Sequence, residues 1–322
     1  MVHSTKITLS VVVPLFNEAD CLRDFHAALE DVLNTMGKNY EIIYCNDGSS
    51  DKTLSILHEI VKGNARTKVI NLSRNFGKES ALSAGLHAAT GQAIIALDGD
   101  GQHPVEVIPK FVEAWEQGGQ VIVGVCVNRR SEGLLKRLGS RLFYKSFNAL
   151  TGQKLVSGTT DFRLIDRAVQ QEFIKLEESE RMTRALIDWL GFERVYVQYE
   201  EKTRIAGAPA YSFGSLVKLA TNSFVALTPK PLYIFGYLGI TITAAAFLLG
   251  VTVFIEQILL SDPWHWKFTG TAMLGILILF LVGIVLLSQG ILSLYISHIH
   301  SQSKGRPLYV INKKGSVGID ES

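Results

Sequence analysis

The sequence predicts a Rossmann-type α/β domain over residues 1–228, two transmembrane α-helices within 229–297, and a polar tail over 298–322. Three observations lead there. Short apolar runs alternate with stretches of helical spacing through the N-terminal half. Two later stretches carry no charge over lengths that span a bilayer. The unusual polar residues fall just after the predicted strands.

Ile7–Val13 is a continuous apolar run, as in a strand buried on both faces, and Pro14 is expected to end it. Asp20–Met36 places Leu22, Phe25, Leu29 and Leu33 on one helical face. Glu41–Cys45 is the second strand, Asn46–Asp51 a turn and Thr53–Val61 a helix. Lys68–Leu72, Ala93–Leu97 and Val121–Val125 read as strands, separated by helices over Glu79–Ala89 and Val105–Trp115. Such alternation implies a mostly parallel sheet with helices on both faces. Ligands of these sheets bind beyond the carboxyl ends of the strands, where Asn17-Glu18, Asp47-Gly48 and Asp98-Gly99-Asp100 fall.

From Pro231 to Ile255, 25 residues carry no charge, and from Phe268 to Ser297 another 30 carry none. About 20 apolar residues cross a bilayer core as a helix. A buried hairpin of core helices is the alternative, but such helices are usually shorter and keep a polar face. Trp264 and Trp266 in the link suit the interface, and Lys218, Lys230, Lys304, Arg306, Lys313 and Lys314 flank the pair. This bias predicts that both termini lie in the cytoplasm, with the protein in the inner (plasma) membrane. Residues 133–150 and 213–227 read as amphipathic helices, either on the membrane surface or packed on the sheet. A net charge of +2 argues against a nucleic-acid partner. Three cysteines without metal-like spacing fit a reducing compartment.

The candidate chemistry sits at strand ends. Asp98 and Asp100 follow a buried strand, and Gly99 and Gly101 let the backbone turn tightly. One or both carboxylates suit a hard cation, Mg²⁺ or Mn²⁺, that also takes phosphate oxygens. The alternative is a polar turn with a helix cap. Asp47 can accept hydrogen bonds from a base or ribose, or serve as a turn residue, while Asp51 caps the next helix. Arg74 or Lys78 can meet phosphate charge or face solvent. Asp161 can orient or deprotonate an acceptor, or cap a helix starting near Asp166. The histidines do not cluster and are assigned no ligand role.

Val12–Glu18, Asn46–Asp51, Asn75–Glu79, Asp98–Pro104 and Gly158–Arg163 occur in an order and spacing that resemble polyprenyl-phosphate glycosyltransferases. These are dolichol-phosphate mannose synthase-like members of the inverting family-two enzymes. The resemblance also takes in Glu180-Arg181, Trp189–Phe192, Arg204 and the two spans. It implies a GT-A fold and transfer of a hexose from a nucleotide sugar such as UDP-glucose to undecaprenyl phosphate or a similar lipid. By that pattern Pro14, Leu15, Asn17, Glu18 and Asp47 hold the nucleotide, with Lys78 also on the donor. Asp98, Asp100 and Gln102 surround the metal and diphosphate. Asp161 lies near the acceptor, and Arg204 faces its phosphate.

One departure is Gly207-Ala208-Pro209-Ala210-Tyr211, where the family usually has a hydroxyl residue and a cation before the aromatic. Losing a charge-assisted phosphate contact weakens binding by roughly 1.5–3 kcal/mol unless another cation, Arg163 or Arg137, replaces it. This keeps a second expectation open, a weakly active scaffold or partner subunit that retains the fold. A processive polysaccharide synthase is disfavoured because no Gln-x-x-Arg-Trp signature is present. The tail Arg306–Ile311 alternates enough to pair as a strand, which leaves a homo-oligomer open.

Overall fold

A computed structural model of the chain describes residues 7–127, 159–178, 181–200, scattered positions between 237 and 248, and 270–318. The chain divides into two compact units: Met1–Ser146 with Gln153–Ala210 and Gly305–Ser322, and Phe147–Gly152 with Tyr211–Lys304.

The first unit is built on a seven-stranded sheet. Its strands are β1 (Leu9–Leu15), β2 (Tyr40–Asn46), β3 (Thr67–Asn71), β4 (Ala93–Ala96), β5 (Val121–Cys126), β6 (Thr159–Asp166) and β7 (Arg194–Tyr199), in the order β3-β2-β1-β4-β6-β5-β7. The first five match the apolar runs of the sequence. Residues of β1 through β4 are almost entirely buried, which is why they read as unbroken apolar stretches rather than alternating ones.

The apolar-run pattern does not predict β6 and β7. β6 runs antiparallel to both β4 and β5, so the sheet is mixed. Pro14 does not end β1 either; it pairs in register with Cys45. Pairing of β1 with β4 stops at Val12, so the missing N–H of Pro14 costs no ladder bond there.

Helices cover both faces. α1 (Leu22–Thr35), α2 (Thr53–Gly63) and α4 (Ile108–Glu116, entered through a 3-10 turn at Val105–Val107) pack with Val11, Val13 and Tyr44. α3 (Lys78–Ala88), α5 (Arg167–Phe173) and α6 (Thr183–Trp189) pack with Val12, Ile43 and Ile94. α3 lies very close to the sheet. A Cβ on Gly85 would meet Val12 Cγ1 at 2.2 Å and Cys45 Sγ at 2.7 Å, so only glycine allows that approach.

In the second unit α7 spans Gly270–Ser303, 34 residues. Among the described residues no helix is long and apolar enough to cross a membrane, and the described side chains of α7 come in interrupted runs. The other predicted span lies outside the described residues apart from helical positions between Tyr237 and Leu248. The amphipathic segments, Arg137, Arg204 and Pro209-Ala210 also lie outside them. The tail does pair as a strand would, but with its own chain: Ile311 bridges Leu72 and Val317 bridges Val69.

Candidate active site

The loops after β1 and β2 are tied to each other. Asn17 N–H donates to Ser49 Oγ at 2.9 Å, and Ser50 N–H donates back to Asn17 Oδ1 at 2.9 Å. Glu18 N–H donates to Thr53 Oγ1, and Ala19 N–H to Asp51 Oδ2. Asp51 also accepts from Thr53 N–H at 2.9 Å, so it satisfies the first N–H of α2 from one residue outside the N-cap position, which Lys52 holds. Asn17 sits at φ 55, a left-handed conformation that asparagine tolerates better than most residues. Pro14 and Leu15 are buried at the end of β1, with Leu15 C=O accepting from Asp47 N–H at 2.8 Å.

Asp47 is only 2% exposed. Its carboxylate accepts from the backbone N–H groups of Phe76 at 2.7 Å and Gly77 at 2.9 Å. Burial pushes its carboxyl up, against the opposing pull of those two bonds and of Arg74. Asp47 therefore anchors the loop that follows β3. Gly48 allows the two loops to meet: its φ is +65, and a Cβ there would lie 2.4 Å from the Arg74 carbonyl carbon. Arg74 itself folds over Phe76, 4.0 Å from the ring centroid.

The turn after β4 carries Asp98, Gly99 and Asp100. Gly99 is pressed on Leu15; a Cβ would meet Leu15 Cδ2 at 2.3 Å. Asp100 Oδ1 accepts from Gln102 N–H at 3.1 Å. His103 is buried, stacked on Phe162, and its Nδ1 accepts the Asp98 N–H at 3.1 Å. Cys21 Sγ reaches Glu18 Oε2 and Gly99 C=O, both at 3.4 Å. Burial, then the Glu18 bond and charge and the Asp100 charge, push its thiol up to about 12. It packs here as a neutral thiol bridging the β1 and β4 loops.

The antiparallel strand completes the site. β4 and β6 pair Ala93 with Asp166 and Ala96 with Arg163. Carried two residues onward, that register sets Asp98 opposite Asp161. Lys78, the first residue of α3, lies between them, its Nζ 2.7 Å from Asp98 Oδ1 and 2.7 Å from Asp161 Oδ2. Burial alone would raise the Asp161 carboxyl, but Lys78, Arg184 and Arg163 overcome it and hold it well below the usual carboxylate range. Burial would likewise lower the Lys78 ammonium, and the two carboxylates push it above its ordinary value.

Behind Lys78, Glu79 accepts from Thr183 N–H at 2.8 Å and Thr183 Oγ1 at 2.5 Å, joining α3 to α6. Burial and then Asp161 raise its carboxyl. Arg163 is 3% exposed, with Nη1 3.2 Å from Arg184 C=O and 3.4 Å from Asp188 Oδ1. That engagement makes it a buried strut rather than a free substitute for the cation absent at Ala210.

The sequence-predicted residues thus converge in part. Asn17, Glu18 and Asp47 shape the loops at the ends of β1 and β2, while Lys78, Asp98 and Asp161 meet directly. Gln102 supports Asp100 through its backbone. Asp166, not Asp161, caps α5, accepting from Ala168 N–H. Cys21, Glu79, His103 and Thr183 are supports that sequence reasoning passed over.

The donor set suits a hard divalent cation, Mg²⁺ or Mn²⁺, which takes one or two carboxylates and fills its shell with phosphate oxygens and water. Asp98 and Asp100, on the turn after β4, are the carboxylates placed where such a cation would need them. Among the described residues no three or more His, Cys, Asp or Glu side chains group closely enough to hold an ion by themselves.

Residues 10–173 match the family described as Glycosyl transferase family 2. Over 98% of the chain it is 34% identical to the uncharacterized glycosyltransferase YkcC of Bacillus subtilis (strain 168), covering 96% of that protein. It is 32% identical to the bactoprenol glucosyl transferase of Shigella phage SfX, over 95% of this chain and 99% of that one. It is 33% identical to the prophage bactoprenol glucosyl transferase homolog of Escherichia coli (strain K12), over 95% of this chain and 98% of that one.

Proposed function

The chain belongs to glycosyl transferase family 2, a glycosyltransferase with a GT-A-like α/β domain on a mixed sheet, and on that premise we propose that it glycosylates a membrane lipid. The donor is a nucleotide sugar of the UDP-glucose kind, and the acceptor is polyprenyl phosphate of the undecaprenyl class. The transfer takes place at the cytoplasmic face of the inner membrane. The names of the relatives, bactoprenol glucosyl transferases, support the acceptor. The observation that carries the reading is the junction of Asp98 and Asp161 across one ammonium, Lys78.

One carboxylate from the turn after β4 and one from β6, bridged by a lysine, suit the junction of a diphosphate-sugar donor with an anionic acceptor. Asn17, Glu18 and Asp47 hold the nucleotide over the ends of β1 and β2. Asp98 and Asp100 would hold a divalent cation, which would supply charge neutralisation to the leaving diphosphate. Lys78 adds a fixed positive charge at the same junction. A phosphate monoester has a second pKa near 6 and is largely dianionic at pH 7. Such an acceptor needs no general base, so the ionised Asp161 orients the incoming group rather than taking a proton. In-line attack at the anomeric carbon inverts configuration. Arg204 and Arg137 face the acceptor phosphate.

The membrane layout is part of the proposal: a catalytic domain over 1–228, spans within 229–297, and cytoplasmic termini. It is supported by the two uncharged stretches and by exposed apolar side chains on α7, among them Leu274, Ile278, Val285 and Ile296.

The test is incubation of membranes containing the chain with radiolabelled nucleotide sugars and undecaprenyl phosphate. A lipid-linked sugar that disappears in Asp100→Ala is expected. No lipid product from any common nucleotide sugar, or full activity in Asp100→Ala, would sink the reading. Nucleotide-sugar binding without turnover would favour the scaffold reading instead.

A further inference from the structure

β3 is an edge strand, and edge strands leave a row of unpaired N–H and C=O groups. Here the tail that follows α7 covers it. Val69 and Val317 exchange two backbone bonds of 2.9 Å, Asn312 N–H donates to Asn71 C=O at 2.7 Å, and Ser73 N–H donates to Val310 C=O at 2.8 Å. Ser316 Oγ accepts the Asn71 N–H at 2.9 Å. Two helices hold the same segment. His58 on α2 lies 3.0 Å from Gly315 C=O, and His87 on α3 lies 2.8 Å from the Tyr309 hydroxyl.

The segment also touches the inside of the domain. Gly315 is buried against the Asn71 amide, and a Cβ there would come within 2.4 Å of Asn71 Nδ2. Asn71 Oδ1 accepts from Asn46 Nδ2 at 2.7 Å in a buried bond. Asn46 Oδ1 accepts from the Ser49 hydroxyl. Ser49 Oγ accepts the Asn17 N–H, and Asn17 Oδ1 accepts the Ser50 N–H. A line of contacts thus runs from the Gly315 backbone through the side chains of Asn71, Asn46 and Ser49 to the Asn17 N–H, linking the tail through β3 and β2 to the loops at the ends of β2 and β1.

We propose that the C-terminal strap, Tyr309–Val317, is a positioning element for the donor-binding loops, with Gly315 and Ser316 setting Asn71 and through it Asn46, Ser49 and Asn17. The strap touches no reacting atom. It fixes the shape of the Asn46–Ser50 loop, and by closing β3 it also fixes where the Ser73–Lys78 loop leaves the sheet. The reason for glycine at 315 is then a contact, not a turn. The proposal rests on the reading of these loops as the nucleotide site.

The experiment uses the full-length chain in nanodiscs and three variants: Gly315→Ala, the milder Ser316→Ala, and Lys314→Ala as an exposed strap control. Backbone hydrogen exchange is followed at Asn17, Ser50 and Phe76, and UDP affinity is measured by calorimetry with Mn²⁺, well below the unfolding temperature. Gly315→Ala is expected to speed exchange at Asn17 and Ser50 and to weaken UDP binding about fivefold, near 1 kcal/mol. Ser316→Ala is expected to move both in the same direction by less, and Lys314→Ala to move neither. A purely structural tail would lower the unfolding temperature and leave both readouts alone. Unchanged exchange at Asn17 and Ser50 in both Gly315→Ala and Ser316→Ala would overturn the proposal. If the wild-type chain binds no UDP, the donor reading fails, and the exchange data still decide whether the strap positions these loops.

Discussion

Replacing Lys78 by methionine keeps the side-chain length and removes the charge between Asp98 and Asp161. Both carboxylates touch Nζ at 2.7 Å, so those oxygens lie no more than about 5.4 Å apart. At an effective dielectric near 20, two unit negative charges at that separation repel by about 3 kcal/mol. The two aspartate side chains are 27% and 26% exposed, and screening brings the figure to roughly 1–2 kcal/mol. One pKa unit is about 1.4 kcal/mol. The Asp161 carboxyl, now held well below its usual range, therefore rises in Lys78→Met. The neutral kcat/KM should fall roughly 5- to 30-fold. The assay is lipid-linked product formation from labelled UDP-glucose at about pH 7.5. A Lys78→Met enzyme with wild-type kcat/KM would refute the view that this ammonium organises the junction.

Further outcomes follow from the same geometry. The Asp161 carboxyl has a folded pKa below its ordinary 3.8, so its contribution to stability is complete above that value and is lost as pH falls through the depressed one. Urea midpoints of wild type and Asp161→Asn should stay apart at neutral pH and converge on acidification below it; a constant gap would contradict this. Gly99→Ala forces a Cβ to 2.3 Å from Leu15 Cδ2 and 3.1 Å from Val13 Cγ1. Overpacking of this kind costs about 1–3 kcal/mol, which a thermal melt reads as a fall of roughly 2–10 °C. With its thiol pushed up to about 12 and its side chain buried, Cys21 should resist iodoacetamide at pH 8 in the folded chain and react once the chain is unfolded. Mass spectrometry of the alkylated peptides decides it.

The sequence announced the parallel half of the sheet because β1 to β4 are buried on both faces and so are written as apolar runs. It did not announce β6. That strand carries Asp161, Arg163 and Asp166, and Arg163 is buried at 3% exposure because Asp188 and the Arg184 carbonyl receive it. Polar residues buried through distant partners look like a loop or a cap from the sequence alone. The antiparallel pairing that sets Asp98 opposite Asp161 is likewise a long-range fact. The carboxylates were visible separately, and their meeting was not. Lys78 read as a helix-start cation with either a phosphate or a solvent role, since nothing local tells that two carboxylates flank it. Asp47 was marked for its strand end. What it does among the described residues is anchor Phe76 and Gly77, a contact 29 and 30 residues away in the chain. His103 was given no role, and its Nδ1 accepts the Asp98 N–H that shapes the turn after β4.

The most direct test is single-turnover transfer by the purified full-length chain in nanodiscs holding undecaprenyl phosphate. Labelled UDP-glucose is added, and both the rate and the anomeric configuration of the lipid product are read. The account predicts a β-linked glucosyl phosphate lipid from the α-linked donor, lost on chelation of divalent cations and strongly slowed in Asp161→Asn. An α-linked product, or wild-type transfer in Asp161→Asn, would contradict it.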